Sequence, residues 1–351
     1  MPRFTPDALR AFSADVFQAA GFPRDEAALI ARLMVAANLR GHETHGVRQI
    51  PRYLERIKKG HIVPGAKITV VRETPTTALL EGNRTLGHVA GTRAVEIGIA
   101  KAREMRISAV AVRGLDHLGR VGAYTEMAAA AGMIGLVFAS AQGPGRSVAP
   151  FGGVAKRLGT NPLGAAFPNP PGDPVLLDFA TSTVAANKIR QAFDRGQETG
   201  EDWLMDLNGN PTRDPKAFLD GNAIMLPLGG LQGHKGYALA VIVDILGGVL
   251  SGGGTADTVQ EMANNSSLFI TIDPEAFLPR AEYERQVAEL VAYLRATLTA
   301  PGAPPVMVPG EYEERHQQAR EAEGIEIEER VWANILRSVE GTVAAVPQPA
   351  R

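Results

Sequence analysis

The chain has 351 residues, 45% hydrophobic and 21% charged, the make-up of an ordinary globular protein of about two domains. A formal net charge of −2 and the lack of any long Lys or Arg run exclude the charge pattern of a nucleic-acid or acidic-membrane binder. Cysteine is absent, which removes disulfides, thiolate nucleophiles and Cys-ligated zinc, and suits a reducing cytosol.

The N-terminus, "MPRFTPDALRAF", has no apolar signal core. Thr5 and Pro6 mark a helix start, and Leu9, Phe12 and Val16 form its stripe up to Gly21. A second helix is expected from about Asp25 to Arg40, stopped by Gly41, and "THGVRQIPRYLERIKKG" reads as a third, bent near Pro51. The period then changes. "KITVVRE" and "TTALLEG" read as strands around a Pro turn, followed by a helix from Gly91 to Glu104. Next comes a strand–helix–strand unit: "ISAVAVRG", the loop "LDHLGR", "VGAYTEMAAAAG" and "IGLVFASA". After "LGTNPLGAAFP", the strand "PVLLDFATS" leads into a helix ending near Arg195, and a turn-rich connection runs through "LNGNPTRDP". "HKGYALAVIVDILGGVLSG" reads as a helix that Asp244 interrupts and that is too short to span a bilayer, and "SSLFITID" as a strand. Helical spacing returns at Val287, Leu290, Val291 and Leu294 and in "ERVWANILRSVE", before a tail expected to fray. The expectation is an α/β protein, soluble and cytoplasmic, with helical segments from both termini packed together.

"GHETHGVRQIP" concentrates the polar chemistry. His42 and His45 form HxxH, one residue short of the zincin HExxH and without a nearby third ligand. His45 could also be a cap or a packed ring. If a helix begins at Thr44, then His45, Arg48, Gln49 and Arg52 share one face. Arginine holds a carboxylate by two parallel hydrogen bonds and histidine exchanges protons near neutrality, so the face suits a small acid with a neighbouring hydroxyl or keto group. His117, in "DHLG", stands at the carboxyl end of a predicted strand, where open α/β sheets place their sites. Gly119 and Gly122 open the next helix, whose backbone N–H groups could meet an anion such as a pyrophosphate. A structural histidine remains the alternative there. No GxxxxGK[ST] and no GxGxxG occurs, which argues against a P-loop or a standard Rossmann domain. Lys235 in "GHKG" is either a phosphate partner or a solvated lysine.

Taken together, "GHETHGVRQIPRY", "DHLGRVGAYTEMAAAAG", "FGGVAKRLGTNPLGAAFP", "LLDFATS", "HKGYALAVIVDILGGVLSGG" and "VPGE" resemble the malate/L-lactate dehydrogenase family of non-Rossmann oxidoreductases. Each stretch alone is weakly specific; six in one order over nearly the whole chain carry the resemblance. It implies NAD(H) or NADP(H) bound on a mixed β-sheet of non-Rossmann topology within 76–274, and a helical domain built from 1–75 and 275–345. It also implies a homodimer. The histidine of the family's Ser-His-Gly motif falls on His45, with Thr44 in place of the serine, and the arginine facing the substrate carboxylate falls on Arg48. The family's second histidine falls on His117. Implied cofactor contacts are His117, Leu118, Gly119, Arg120, Val121, Ser140, Asp178, Phe179, Ala180, Lys235, Pro309, Gly310 and Glu311. Thr160 joins the substrate contacts, as does Arg52, which either meets a second carboxylate or faces solvent. The family's cyclic-imine reductase branch has an aspartate where this chain has Lys188, which favours a 2-keto acid.

The expected reaction is the interconversion of a 2-hydroxy acid and its 2-keto acid, with no metal. His117 ranks ahead of His45 as acid/base, with His45 and Thr44 beside it. A metal-dependent hydrolase or lyase on His42 and His45 is the rival, and a non-catalytic keto-acid-binding protein the third reading.

Overall fold

The computed structural model describes residues 1–143, 146–255, 257, 264–341 and 346–349; most of the tail expected to fray, from 342 onward, lies outside them. Local rules decide the first elements. Helix α1 (Pro6–Ala19) begins where the Thr5 hydroxyl accepts from the Ala8 N–H at 3.2 Å. It buries Leu9, Phe12, Val16 and Phe17. Helix α2 (Arg24–Leu39) gives way to Gly41, whose φ of +82° suits a residue without Cβ.

The third helix does not start at Thr44. Two 3₁₀ turns, Glu43–His45 and Val47–Gln49, precede α3 (Ile50–Lys58). The cause is tertiary. Asn38 Oδ1 accepts the Val47 N–H at 2.9 Å, and Gly46 lies so close to the Asn38 amide that no Cβ would fit. Gln49 is buried, its side chain donating to Thr44 O at 2.6 Å, so the expected face of His45, Arg48, Gln49 and Arg52 is broken up.

Seven strands form the central sheet: β2 (Thr69–Glu73), β3 (Thr77–Glu81), β4 (Ile107–Leu115), β5 (Ile134–Gln142), β6 (Leu163–Phe167), β7 (Val175–Phe179) and β11 (Asn264–Ile272). Their order is β2-β3-β4-β11-β5-β6-β7. Only β3 and β4 are parallel neighbours; every other named pairing in this sheet is antiparallel. A Rossmann sheet is built from parallel neighbours, so this mixed sheet has another topology. Helix α4 (Gly87–Met105) makes the β3–β4 crossover and starts about one turn before the expected Gly91. Helix α5 (Gly122–Ala130) joins β4 to β5 as read, but β11 arrives from far along the chain and separates the two strands.

The "LNGNPTRDP" connection is more ordered than expected. It contributes to a second sheet of β8 (Leu204–Asp206), β9 (Pro211–Thr212) and β10 (Ala223–Met225), flanked by α6 (Ala186–Asp194) and α7 (Pro215–Leu219). Helix α8 (His234–Val243) continues as a π-helical turn, Asp244–Val249. There a Cβ on Gly247 would come within 2.7 Å of Phe138 O, so the Gly pair lets this turn press on β5. No helix among the described residues is long and apolar enough to cross a membrane.

Both ends of the chain build the helical layer. β1 (Arg3–Phe4) pairs antiparallel with β12 (Ile325–Glu326), and α11 (Glu329–Ser338) packs Trp332 and Ile335 into the core of α1 and α2. The Trp332 ring lies 4.4 Å from that of Phe4 and 5.4 Å from that of Phe12. Between these ends lie α9 (Arg280–Arg295) and α10 (Glu311–Glu323). The expected stripe on α9 is mostly outward: Val291 is buried, whereas Leu290 is 56% exposed. α10 buries no residue and so had no apolar period to reveal it.

His88, on α4, is buried and its Nδ1 has no partner among the described residues; burial pushes its pKa down to about 4. The folded protein keeps this ring neutral while the unfolded chain protonates it below the ordinary imidazole value of 6.5, so stability falls as pH drops from there toward about 4. His88→Phe is expected to make that acid limb shallower in urea titrations at several pH values, His45 and His117 supplying the rest; an unchanged slope would assign the acid loss elsewhere. Trp332→Ala should cost about 3 kcal/mol or more, the range for emptying a large aromatic site. A urea midpoint within error of the parent would contradict the joining of the two termini at this ring.

Candidate active site

The end of β4 and the start of α3 bring the two principal histidines together. The His45 and His117 rings stack with centroids 5.2 Å apart and planes at 20°. Tyr53, fully buried on α3, places its hydroxyl 2.7 Å from His117 Nδ1. Nδ1 is thereby engaged, and Nε2 is the nitrogen left for a bound molecule. His117 follows Asp116, whose carboxylate accepts the His117 N–H at 2.7 Å and Arg56 Nε at 2.6 Å. The loop is thus pinned from α3 twice, once by a phenol and once by an ion pair. Gly87 makes the approach possible, since a Cβ there would lie 2.6 Å from Asp116 O and His117 O.

Electrostatics keep these rings neutral. Burial, with His42, His88, Arg120 and Arg52 around it, pushes His45 down to about 3. His45 Nδ1 is buried without a partner among the described residues. Burial, then Arg52, His45, His88 and Arg56, holds His117 well below the usual imidazole range. An arriving carboxylate would offset those cations and ease protonation.

The arginines divide. Arg52 is exposed, yet its charge bears on both rings. Arg48 is half-buried and its charge bears on Glu328: burial works against that carboxylate, but Arg195, Gln191 and the charge of Arg48 hold it below its usual value. Thr44 is half-buried beside His45.

The anion expected at the start of α5 comes from the chain itself. Asp178, on β7, accepts the Gly122 N–H at 2.9 Å and Arg120 Nη1 at 3.5 Å. Arg120 also pairs with Glu126, and Glu126 lies 3.2 Å from Arg40. With Leu118 N–H directed at Asn265 Oδ1 at 3.2 Å, the backbone donors expected for a pyrophosphate are largely committed. Leu118 and Val121 are buried, and Gly119 has φ +73° with the His88 ring 2.5 Å from its would-be Cβ.

The other predicted residues fall on neighbouring elements. Pro309 O accepts the Leu176 N–H at 3.0 Å, which sets the Pro309–Gly310–Glu311 turn against the start of β7, the strand that ends with Asp178 and Phe179, followed by Ala180. That turn borders a cleft of about 300 Å³ shared with Asn169, Arg295 and Arg315. The Ser140 hydroxyl donates to Asp244, and Ser140 O accepts from Asn265, so Asn265 links β5 to the His117 loop. Thr160 O accepts the Thr181 N–H at 2.9 Å, just beyond Ala180. Lys235 is exposed in the first turn of α8 and Lys188 is exposed on α6. A larger cleft of about 550 Å³ lies between Phe193 and Lys216, lined by none of the predicted site residues.

His42 turns from His45 to Glu313, at 3.4 Å. Among the described residues no group of three or more His, Cys, Asp or Glu could hold a metal ion. Sequence reasoning missed Tyr53, Arg56, His88, Asp116, Glu126 and Asn265. Tyr53 stood inside a quoted motif, but nothing local shows that its hydroxyl faces a loop 64 residues away.

Residues 4–336 match the family described as malate/L-lactate dehydrogenase. The chain is 36% identical to hydroxycarboxylate dehydrogenase B of Escherichia coli (strain K12) over 95% of this chain and 92% of that protein. It is 37% identical to malate dehydrogenase of Pyrococcus abyssi, covering 88% of this chain and 86% of the relative. Among solved structures, malate dehydrogenase from Entamoeba histolytica superposes with a TM-score of 0.91 at 30% identity, covering 98% of this chain and 99% of the other. Sulfolactate dehydrogenase from Methanocaldococcus jannaschii gives 0.88 at 33% identity, covering 97% of each chain. Whole-length identity above 30% and a shared non-Rossmann sheet lead to one conclusion: the chain belongs to the malate/L-lactate dehydrogenase family.

Proposed function

We propose that the protein interconverts a 2-hydroxy acid and its 2-keto acid using NAD(H) or NADP(H). The observation that carries the reading is the stacked His45–His117 pair, neutral by burial, with His117 Nδ1 engaged and Nε2 left toward a ligand. Relatives named for malate, sulfolactate and hydroxycarboxylate support the substrate class.

The cofactor would lie along the strand ends that carry Ser140, Asp178, Phe179 and Ala180, with Leu118–Val121 beneath it and the Pro309–Glu311 turn at its edge. The cleft at that turn offers the Asn169 amide and the Arg315 guanidinium, groups suited to ribose hydroxyls and phosphates, while Arg295 is held by Glu311. When bound, the nicotinamide supplies or accepts the hydride. Lys235, free to swing at the start of α8, would meet a phosphate. Arg120, committed to Glu126 and Asp178, would shape this floor rather than bind phosphate directly.

Substrate would enter beside His45 and Thr44. Arg48 would take the carboxylate, with Thr160 opposite, and Arg52 would supply positive potential or meet a second carboxylate. His117 Nε2 would give its proton to the oxygen of the keto group during reduction and take it back during oxidation. In reduction the ring must be protonated, so rate falls as pH rises through its pKa; in oxidation it must be neutral, so rate falls as pH drops. A cytoplasmic homodimer completes the proposal. The half-exposed apolar stripe of Ile242, Ile245, Val249 and Leu250 supports the dimer.

The direct test is a screen of 2-keto acids against NADH and NADPH in excess chelator. Acid-dependent loss of reduced nicotinamide, matched by hydroxy-acid formation, is expected; no turnover with any pairing would overturn the reading. His117→Asn keeps a polar contact but cannot exchange the proton, and should lower turnover by roughly 10² with cofactor affinity near normal. A similar loss in His45→Asn alone, with His117→Asn active, would reverse the two roles. Arg48→Lys keeps charge but loses the two-point geometry, so keto-acid KM should rise far more than cofactor Kd. Equal weakening of both would contradict a carboxylate clamp.

A further inference from the structure

Asp116 is a carboxylate that folding takes out of water at the residue before His117; its side chain is 2% exposed. Both oxygens are used. Oδ1 accepts the His117 N–H at 2.7 Å, and Oδ2 accepts Arg56 Nε at 2.6 Å and Arg56 Nη2 as well. The backbone around it is fixed independently: the Asp116 N–H donates to Thr85 O at 2.9 Å, and Gly87 sits against Asp116 O. A buried ion pair seldom gains much stability over uncharged residues of similar shape, so these charges call for another reason.

We infer that Asp116 is a positioning residue for His117: it holds that residue's backbone N–H and cancels the Arg56 charge beside the ring. This rests on the reading of His117 as the acid/base. An asparagine could do the first of these through its carbonyl oxygen but not the second, which separates the two in an experiment.

The groups around the ring show why a countercharge is needed. Helix α3 supplies Arg52, Tyr53 and Arg56, the first 3₁₀ turn His45, and α4 His88. Beyond burial, which is the main cause, Arg52, His45, His88 and Arg56 all oppose a proton on His117. Arg52 is exposed and screened by water; the Arg56 side chain, 13% exposed, is screened far less. Asp116 is the anion set against it. At Tyr53, where burial is again the larger effect, Asp116 raises the phenol pKa and Arg56 lowers it, so the two charges reach this cluster with opposite sign. The negative charge at Oδ2 thus lets the ring take up the proton that reduction consumes, while leaving Nε2 open to a keto oxygen.

The test is the pH profile of keto-acid reduction in the full-length protein, in Asp116→Asn, in Arg56→Gln and in the double variant. Reduction needs a protonated ring, so its rate falls as pH rises through the ring's pKa. Asp116→Asn leaves Arg56 unanswered and should move that limb to lower pH by about one unit, a roughly tenfold slower reduction above it. Arg56→Gln should move the limb to higher pH, and the double variant should return it close to the parent's position. If the pair served only the loop's shape, all three would lose rate with the limb in place, and that result would overturn the inference. So would two single variants that shift the limb in the same direction. Should Asp116→Asn fail to fold, Arg56→Gln decides alone, and a limb unmoved or lower would overturn the inference. ¹⁵N-histidine spectra of His117 against pH read the same shifts without turnover. Opposed shifts in the variants of a protein that reduces no keto acid would defeat the dehydrogenase reading and leave the charge pair standing.

Discussion

The contact between the Tyr53 hydroxyl and His117 Nδ1 ties a helix of the terminal layer to a strand end of the central sheet. Everything around the site serves that contact. Tyr53 is held by a core that both chain ends complete, through Phe17 on one side and the Phe4–Phe12–Trp332 cluster behind it. His117 is held by a strand that β11 flanks and by a loop that Asp116 and Arg56 fasten to the same helix. Neither half positions the ring alone.

The second constraint is the treatment of charge. Four of the seven histidines, His42, His45, His88 and His117, gather in one region, and burial keeps three of them from protonating easily. Close by, Arg40, Arg120, Glu126 and Asp178 neutralise one another across α2, the His117 loop, α5 and β7. Paired charges of this kind fix elements relative to one another without adding much net stability. The result is a buried pair of neutral imidazoles with a positive bias from Arg52, a setting suited to a small anion with a reactive oxygen.

Much of this was legible in the sequence wherever a local rule decided. Thr5 and Pro6 fixed α1, alternating Val and Ala in "ISAVAVRG" fixed β4, and the polar loop after it marked His117. The order of six motifs revealed the family. What stayed hidden was set at a distance. Asn38 caps Val47 and breaks the helix expected at Thr44, β11 inserts between β4 and β5, and Asp178 fills a helix start that seemed open to a ligand. The polar α10 had no period to betray it, yet it carries the Glu313 that turns His42 away from His45. Tyr53 read as one more aromatic on a helix, because a hydroxyl's partner is not a property of its neighbours in sequence.

The central claim is that a keto acid meets His117 Nε2 at this seam. A crystal structure of the protein with reduced nicotinamide and the unreactive keto-acid mimic oxamate tests it most directly. The account predicts an oxamate oxygen within hydrogen-bond reach of His117 Nε2, about 2.6–3.2 Å, with Tyr53 still on Nδ1. Oxamate bound elsewhere, such as in the cleft between Phe193 and Lys216, with His117 Nε2 facing only protein, would contradict it.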